Sequence, residues 1–160
     1  MSDGAKNGST VEARLRDLGF ELPPPPPAAG NYVGAVRVGQ LVFVSGHGPV
    51  KDGELIYRGK LGQDMDIDTA REAAQLVILN ALASLKAEIG NLDRVRRIVK
   101  LLGMVNSTPD FVEQPKVIDG ASDLLTAAFA GKGQHARSAV GFVSLPYGIA
   151  VEIEMVVEVD

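Results

Sequence analysis

The stretch HARSAVGFVSLPYGIAVEIEMVVEVD (residues 135–160) closes the chain with two strand-like apolar runs on either side of a Leu-Pro turn. In the second run, 150–159, apolar residues alternate with mostly acidic ones, and this period of two directs one set of side chains into a core. The first run, 138–145, has no clean polar face. A sheet with two partly apolar faces indicates burial in an oligomer, so a monomer is the weaker interpretation.

Further strand patterns lie upstream, as short runs rich in β-branched and aromatic residues between glycine-containing turns. These runs cover residues 32–39, 41–46, 53–59 and 94–105. Gly39-Gln40 separates the first two runs and is predicted to form a hairpin turn. The run at 53–59 predicts only a short strand after the turn Lys51-Asp52-Gly53.

Two long helices are predicted between the strands. Apolar residues recur with a 3.6-residue period in 66–90, where Asp68 is the expected N-cap and Gly90 the expected end. A second helix is predicted over 115–131, with Pro115 in its first turn. The order of elements predicts an α+β fold, a mostly antiparallel mixed sheet with the two long helices on one face.

The chain divides by composition into an N-terminal extension, 1–29, and a domain, 30–160. Residues 1–7 are small and polar, and disorder is expected there. A short helix is predicted after them, over 9–19, with Ser9 and Glu12 at capping-box spacing and with Val11, Leu15 and Leu18 on one apolar stripe. The run Pro23–Pro27 then predicts a stiff polyproline spacer. It lacks the flanking basic residues expected of a ligand for a proline-binding domain, so a rigid connector over the domain surface is favoured.

The overall composition narrows the function classes. With 46% hydrophobic and 22% charged residues, the 160-residue chain has the composition of a soluble globular protein. Its net charge of −4 gives no general attraction to nucleic acid or to anionic membranes. It has no cysteine, which excludes disulfides and thiolate metal sites. No signal peptide or membrane span is evident, and a cytoplasmic protein is expected.

Spacing alone identifies few candidate catalytic residues. His47 and His135 are far apart in sequence, neither has metal-ligand spacing, and a structural or exposed role is favoured for each. The basic residues of 94–100 could contact RNA phosphates, but a solvated strand edge is favoured because acidic residues balance the chain. The guanidinium of Arg137 has a fork of donors that fits a carboxylate, although the sequence alone does not distinguish it from an ordinary surface arginine. Glu152 has, at face value, a solvent-facing position in its strand.

The segments GNYVGAVRVGQLVFVSGHGP (30–49) and ARSAVGFVSLPYGIAVEIEMVVEV (136–159), with the helices between them, resemble the YjgF/RidA family, often labelled L-PSP endoribonuclease. The most specific part is the pattern ARS…LP…VEIE after VSG and the long helix. The helix and proline run of 1–29 lie outside the common core, as in the longer branch of that family. The resemblance implies a chorismate-mutase-like α+β fold that assembles as a homotrimer with clefts between subunits.

The resemblance also implies an activity and a set of site residues. Characterised members are cofactor-free, metal-free deaminases of 2-imino and 2-enamino acids, which release 2-oxo acids and ammonia. By position, Arg137 matches the residue that holds the substrate carboxylate, and Glu152 matches the one that places the attacking water. Tyr32 matches the aromatic residue lining the cleft, and Ser45 and Gly46 match the pair bordering it.

The chain departs from the family pattern at three positions. Ala139 stands where a cysteine is common, His47 where a glutamine is common, and Asn31 where a proline is common. A non-catalytic protein that binds small carboxylates in the same cleft is the alternative interpretation. A ribonuclease ranks last, because the chain is acidic overall and has no stripe of aromatic and basic residues.

Overall fold

The computed structural model describes residues 10–160, which form an α+β fold around one mixed sheet. Five strands build the sheet: β1 (Ala35–Val38), β2 (Leu41–His47), β5 (Val95–Asn106), β6 (Ala136–Phe142) and β7 (Val151–Val159). Their order is β1-β2-β7-β5-β6, and neighbours are antiparallel except for the parallel pair β5 and β6. The predicted fold class is therefore confirmed.

Two further strands form a small hairpin beside this sheet. They are β3 (Val50–Lys51) and β4 (Glu54–Leu55), joined by a turn in which Asp52 and Gly53 have positive φ. The third strand predicted at 53–59 is thus reduced to two residues, because Tyr57 also has positive φ and ends the extended backbone. The strand predicted over 138–145 ends at Phe142 and begins two residues earlier than expected.

Both long helices are present and cover one face of the sheet. They are α2 (Ile67–Ile89) and α3 (Gln114–Phe129). The N-cap of α2 is Asp66, whose side chain accepts a hydrogen bond from the Thr69 N–H at 2.7 Å, so the prediction of Asp68 was wrong by one half-turn. Gly90 ends this helix with φ of 84°, as predicted, because glycine tolerates the left-handed region.

The extension contributes a short helix, α1 (Val11–Asp17), to the hydrophobic core. Val11 and Leu15 are 3% and 1% exposed, whereas Leu18, predicted on the same stripe, is 45% exposed. Thr10 is the N-cap and accepts a hydrogen bond from the Ala13 N–H at 3.1 Å. The disorder expected over 1–7 and the capping role predicted for Ser9 both lie outside the described residues, and α1 is anchored to the core by its buried side chains.

The two faces of the sheet differ in what covers them. The helix-facing side carries buried residues such as Val42, Leu101 and Ile153. The opposite side, here called the open face, carries exposed apolar residues: Val36, Val38, Leu41 and Phe43. The predicted partly apolar second face is therefore present, and oligomer burial remains the expectation. Within residues 10–160, no helix combines the length and apolar character of a membrane span.

Candidate functional site

Glu152 lies on the open face of β7, opposite Met104 of β5. On its other side the register between β2 and β7 shifts between Val44 and His47, an irregularity that contains Gly46. A Cβ atom added at Gly46 would lie 2.2 Å from Oε1 of Glu152. Only a residue without a side chain lets the carboxylate lie against the β2 backbone at this point.

The Glu152 carboxylate is half-buried and makes no hydrogen bond to any residue between 10 and 160. Burial raises the pKa of Glu152 above its ordinary value, and the negative charge of Glu154 raises it further. A carboxylate of raised pKa binds a proton more readily than an exposed one does. It can therefore accept a proton from a water molecule and return it to a leaving group.

A cleft of about 410 Å³ opens at Glu152. Its walls come from the end of the proline run, the end of β2, the β3–β4 hairpin and the turn before β7. The residues that line it include Pro26, Pro27, Tyr32, Gly46, His47, Leu55, Tyr147, Ile149 and Glu152. Three of the predicted site residues, Tyr32, Gly46 and Glu152, therefore meet at one cleft. The Tyr32 hydroxyl accepts a hydrogen bond from the Ala29 N–H at 3.3 Å.

His47 forms part of the cleft wall although only 6% of it is exposed. Its Nδ1–H donates to the Ser45 carbonyl at 2.6 Å, which leaves Nε2 to accept from the Ser84 hydroxyl at 2.8 Å. Burial lowers the pKa of His47 below its ordinary value, and the Ser45 carbonyl partly offsets this effect. The ring is therefore neutral near pH 7, with both nitrogens committed to hydrogen bonds within the chain.

Ser45 does not reach the cleft with its hydroxyl. That group donates to the Val33 carbonyl at 2.6 Å and ties β2 to the segment before β1. Of the predicted pair Ser45–Gly46, Gly46 alone is among the residues that line the cleft.

Arg137 lies on β6, beside Leu101 of β5, and therefore on the helix-facing side of the sheet. Its Nη1 donates to Oδ1 of Asp119 at 2.7 Å and to the Ser122 hydroxyl oxygen at 3.2 Å. The Ser122 hydroxyl in turn donates to Nε2 of His135 at 2.9 Å. Among the described residues, Nε and Nη2 of Arg137 have no partner, so one side of the guanidinium can still bind a carboxylate through two parallel hydrogen bonds.

Arg137 and Glu152 project from opposite faces of the same sheet. Glu152 pairs with Met104 and Met104 with Val140, whereas Arg137 lies three residues before Val140. The Cα atoms of Arg137 and Glu152 are therefore two strand spacings apart across the sheet and three residues apart along it. Combined at right angles, these displacements give a separation of about 14 Å. One chain therefore does not bring the two groups together. A site that contains both needs Arg137 from a second copy.

Several cleft residues had no signal in the sequence. Tyr147 stands at the rim with φ of 59°, two thirds exposed, in the turn between Leu145 and β7. Only the neighbouring Pro146 and Gly148 could have marked this turn. The contribution of Pro26 and Pro27 depends on where the extension crosses the domain, which no local pattern encodes. Within residues 10–160, no group of three or more His, Cys, Asp or Glu side chains could hold a metal ion.

The chain is similar to a known protein family and to several known proteins and solved structures. Residues 12–157 match the family model described as "YjgF/chorismate mutase-like, putative endoribonuclease". Protein TCP17 of Trypanosoma cruzi is 42% identical over 151 residues, 94% of each chain. The crystal structure of Atu1372 from Agrobacterium tumefaciens, a protein of unknown function, is 44% identical with a TM-score of 0.89 over 94% of each chain. E. coli TdcF with bound serine is 25% identical with a TM-score of 0.62, covering 84% of this chain and 93% of TdcF.

Proposed function

Because the chain belongs to the YjgF/chorismate mutase-like family, we propose that it is a cofactor-free hydrolytic deaminase of reactive 2-imino and 2-enamino acids. The observation that carries this proposal is the Glu152 carboxylate, half-buried and without a partner among the described residues, against Gly46 in a cleft. The serine bound to TdcF supports a site for small amino-acid-like carboxylates.

The reaction consumes water and releases ammonia. Glu152 takes a proton from a water molecule as the oxygen attacks C2 of the imine, which gives a tetrahedral carbinolamine. With the imine protonated at the start, the carbinolamine is neutral, and the same carboxyl then gives the proton to its amino nitrogen. The C–N bond breaks as the hydroxyl oxygen forms the carbonyl, and the hydroxyl proton passes through the Glu152 carboxylate to the departing ammonia, so the products are the 2-oxo acid and ammonium. The C2 atom of a protonated imine is already electrophilic, so positioning and proton transfer are the contributions required of the protein.

Arg137 supplies the carboxylate contact in this proposal, from a neighbouring copy of the chain. Its Nη1 is held by Asp119 and Ser122, which leaves the Nε and Nη2 side for the substrate carboxylate. Edge strand β6 carries this residue, and the open face of the sheet offers exposed apolar side chains for contact between copies. A homotrimer with clefts between subunits satisfies both requirements.

The test is a rate measurement on imines generated in place. An amino-acid oxidase acting on alanine supplies 2-iminopropionate, and formation of pyruvate is followed with and without the protein. We expect acceleration by the wild type. Arg137→Lys should lose more than about tenfold, nearly as much as Arg137→Ala, because an ammonium cannot make the two-point contact.

Two outcomes would redirect the assignment. If wild type leaves the rate unchanged at high protein concentration yet binds pyruvate in calorimetry, the chain is a non-catalytic binder of small carboxylates. If Arg137→Ala binds pyruvate as tightly as wild type does, Arg137 does not hold the carboxylate and the site assignment is wrong.

A further inference from the structure

We propose that residues 26–29, the last two prolines of the run and the two alanines after them, form a wall of the substrate site. This wall selects imino acids with an uncharged apolar side chain. This inference rests on the proposed function, since it concerns the same cleft. Pro26, Pro27, Ala28 and Ala29 all line the cleft that contains Glu152. The extension is thus in contact with the space where substrate would lie.

The wall is held at both ends. Before the run, α1 is anchored by the buried Val11 and Leu15, and Lys86 of α2 forms an ion pair with Glu12 at 2.8 Å. After the run, the Ala29 N–H donates to the hydroxyl of Tyr32, itself a cleft residue. The five prolines between these anchors fix their own φ and restrict the residue before each of them. The segment therefore presents a preformed surface.

The chemistry of the lining defines the side chain that would fit. Facing the proline run are apolar side chains from the hairpin and the last turn, among them Val50, Leu55 and Ile149. No lysine or arginine is among the lining residues, and Glu152 is the single acidic one. The cation that the proposed function places there, Arg137 of the neighbouring copy, is taken by the carboxylate at C1. An acidic substrate side chain would therefore find no further cation in the lining and would be repelled by Glu152, whereas an aliphatic one would be removed from water.

The size of the cleft favours more than a methyl group. At about 410 Å³ it exceeds what the three-carbon 2-iminopropionate fills. Each methylene recognised in an apolar pocket is worth about tenfold or more in specificity. We therefore expect kcat/KM for the imine of leucine to exceed that for the imine of alanine by at least about tenfold, and the imine of glutamate to be the poorest substrate.

The chain offers a matched pair of variants for the test. Pro26→Gly with Pro27→Gly loosens the wall, whereas Pro23→Gly with Pro24→Gly makes the same change where the run does not line the cleft. The first should lower the leucine-to-alanine ratio of kcat/KM about tenfold, and the second should leave it within about twofold of wild type. Equal ratios in wild type and both variants would overturn the proposal, as would an equal drop in both variants.

A binding measurement separates this proposal from the proposed function. Titration of 4-methyl-2-oxopentanoate and of pyruvate by calorimetry measures the side-chain preference of the cleft without turnover. One outcome is that wild type accelerates no imine but binds the larger acid more tightly, and that only Pro26→Gly with Pro27→Gly removes this preference. The proposed deaminase activity is then wrong, and the proposed role of residues 26–29 is supported. If imines are deaminated with no preference for the larger side chain, the proposed deaminase activity is supported and the proposed role of residues 26–29 is wrong.

Discussion

Replacing Gly46 by alanine should disable the site while leaving the fold intact. The added Cβ would lie 2.2 Å from Oε1 of Glu152, and ordinary contact begins at 3.4 Å, so the carboxylate must retreat by about 1.2 Å. Misplacement of a reacting group by about 1 Å can cost a factor of about 100, and we expect a loss of that order in kcat. The clashing atoms are the far end of a flexible side chain, and the Gly46 backbone is outside the left-handed region, so folding should tolerate the methyl group.

Pyruvate formation from 2-iminopropionate measures the effect, with thermal unfolding measured in parallel. Gly131→Ala is the matched control, because no atom lies within 4 Å of its added Cβ, and it should keep both rate and melting temperature. A Gly46→Ala protein with the wild-type rate would refute the reasoning, since the carboxylate position would then not matter. A large fall in melting temperature for Gly46→Ala would contradict the claim that only the Glu152 side chain moves to accommodate the methyl group.

Three further predictions concern pH and stability. Burial raises the pKa of Glu152 above its unfolded value, so ionisation of Glu152 costs stability at neutral pH. Glu152→Gln should therefore abolish turnover and raise the melting temperature near pH 7; that difference should shrink as pH falls through the raised pKa and be gone below the unfolded value of about 4.3. Burial lowers the pKa of His47, so wild-type stability should decline as pH falls below about 6.5, and His47→Gln should flatten that decline in melting curves between pH 7 and 5. Leu15→Ala should cost about 2–5 kcal/mol in denaturant unfolding, against about 0.5 kcal/mol or less for the exposed Leu18→Ala; equal costs would show that α1 is not anchored.

Periodicity predicted the fold well where one face of an element is buried. The alternation of 150–159 corresponds to β7, and the apolar period of 66–90 corresponds to α2. The cap of α2 was misassigned because Asp66 and Asp68 both precede the apolar stripe, and only the backbone of Asp66 is extended, as an N-cap requires. Local pattern can propose a cap but cannot choose between neighbouring carboxylates.

The site was less accessible to sequence reasoning than the fold. Identifying Arg137 and Glu152 did not reveal that they lie on opposite faces, because that depends on the parallel pairing of β6 and on register shifts in β5. The approach of Glu152 to Gly46 and the arrival of Pro26 at the cleft are tertiary contacts between distant segments. Spacing along one strand carries no information about either.

The claim that one cleft is shared between two copies of the chain is tested most directly by mixing two inactive variants. Arg137→Ala lacks the carboxylate contact and Glu152→Gln lacks the base, so neither assembly alone should accelerate deamination. If the two groups of each cleft come from different copies, random exchange at equal amounts leaves about one quarter of the clefts intact, and the mixture should recover about a quarter of the wild-type rate. A mixture whose subunits have exchanged, as seen by native mass spectrometry, yet which stays as slow as its parents would contradict the shared site.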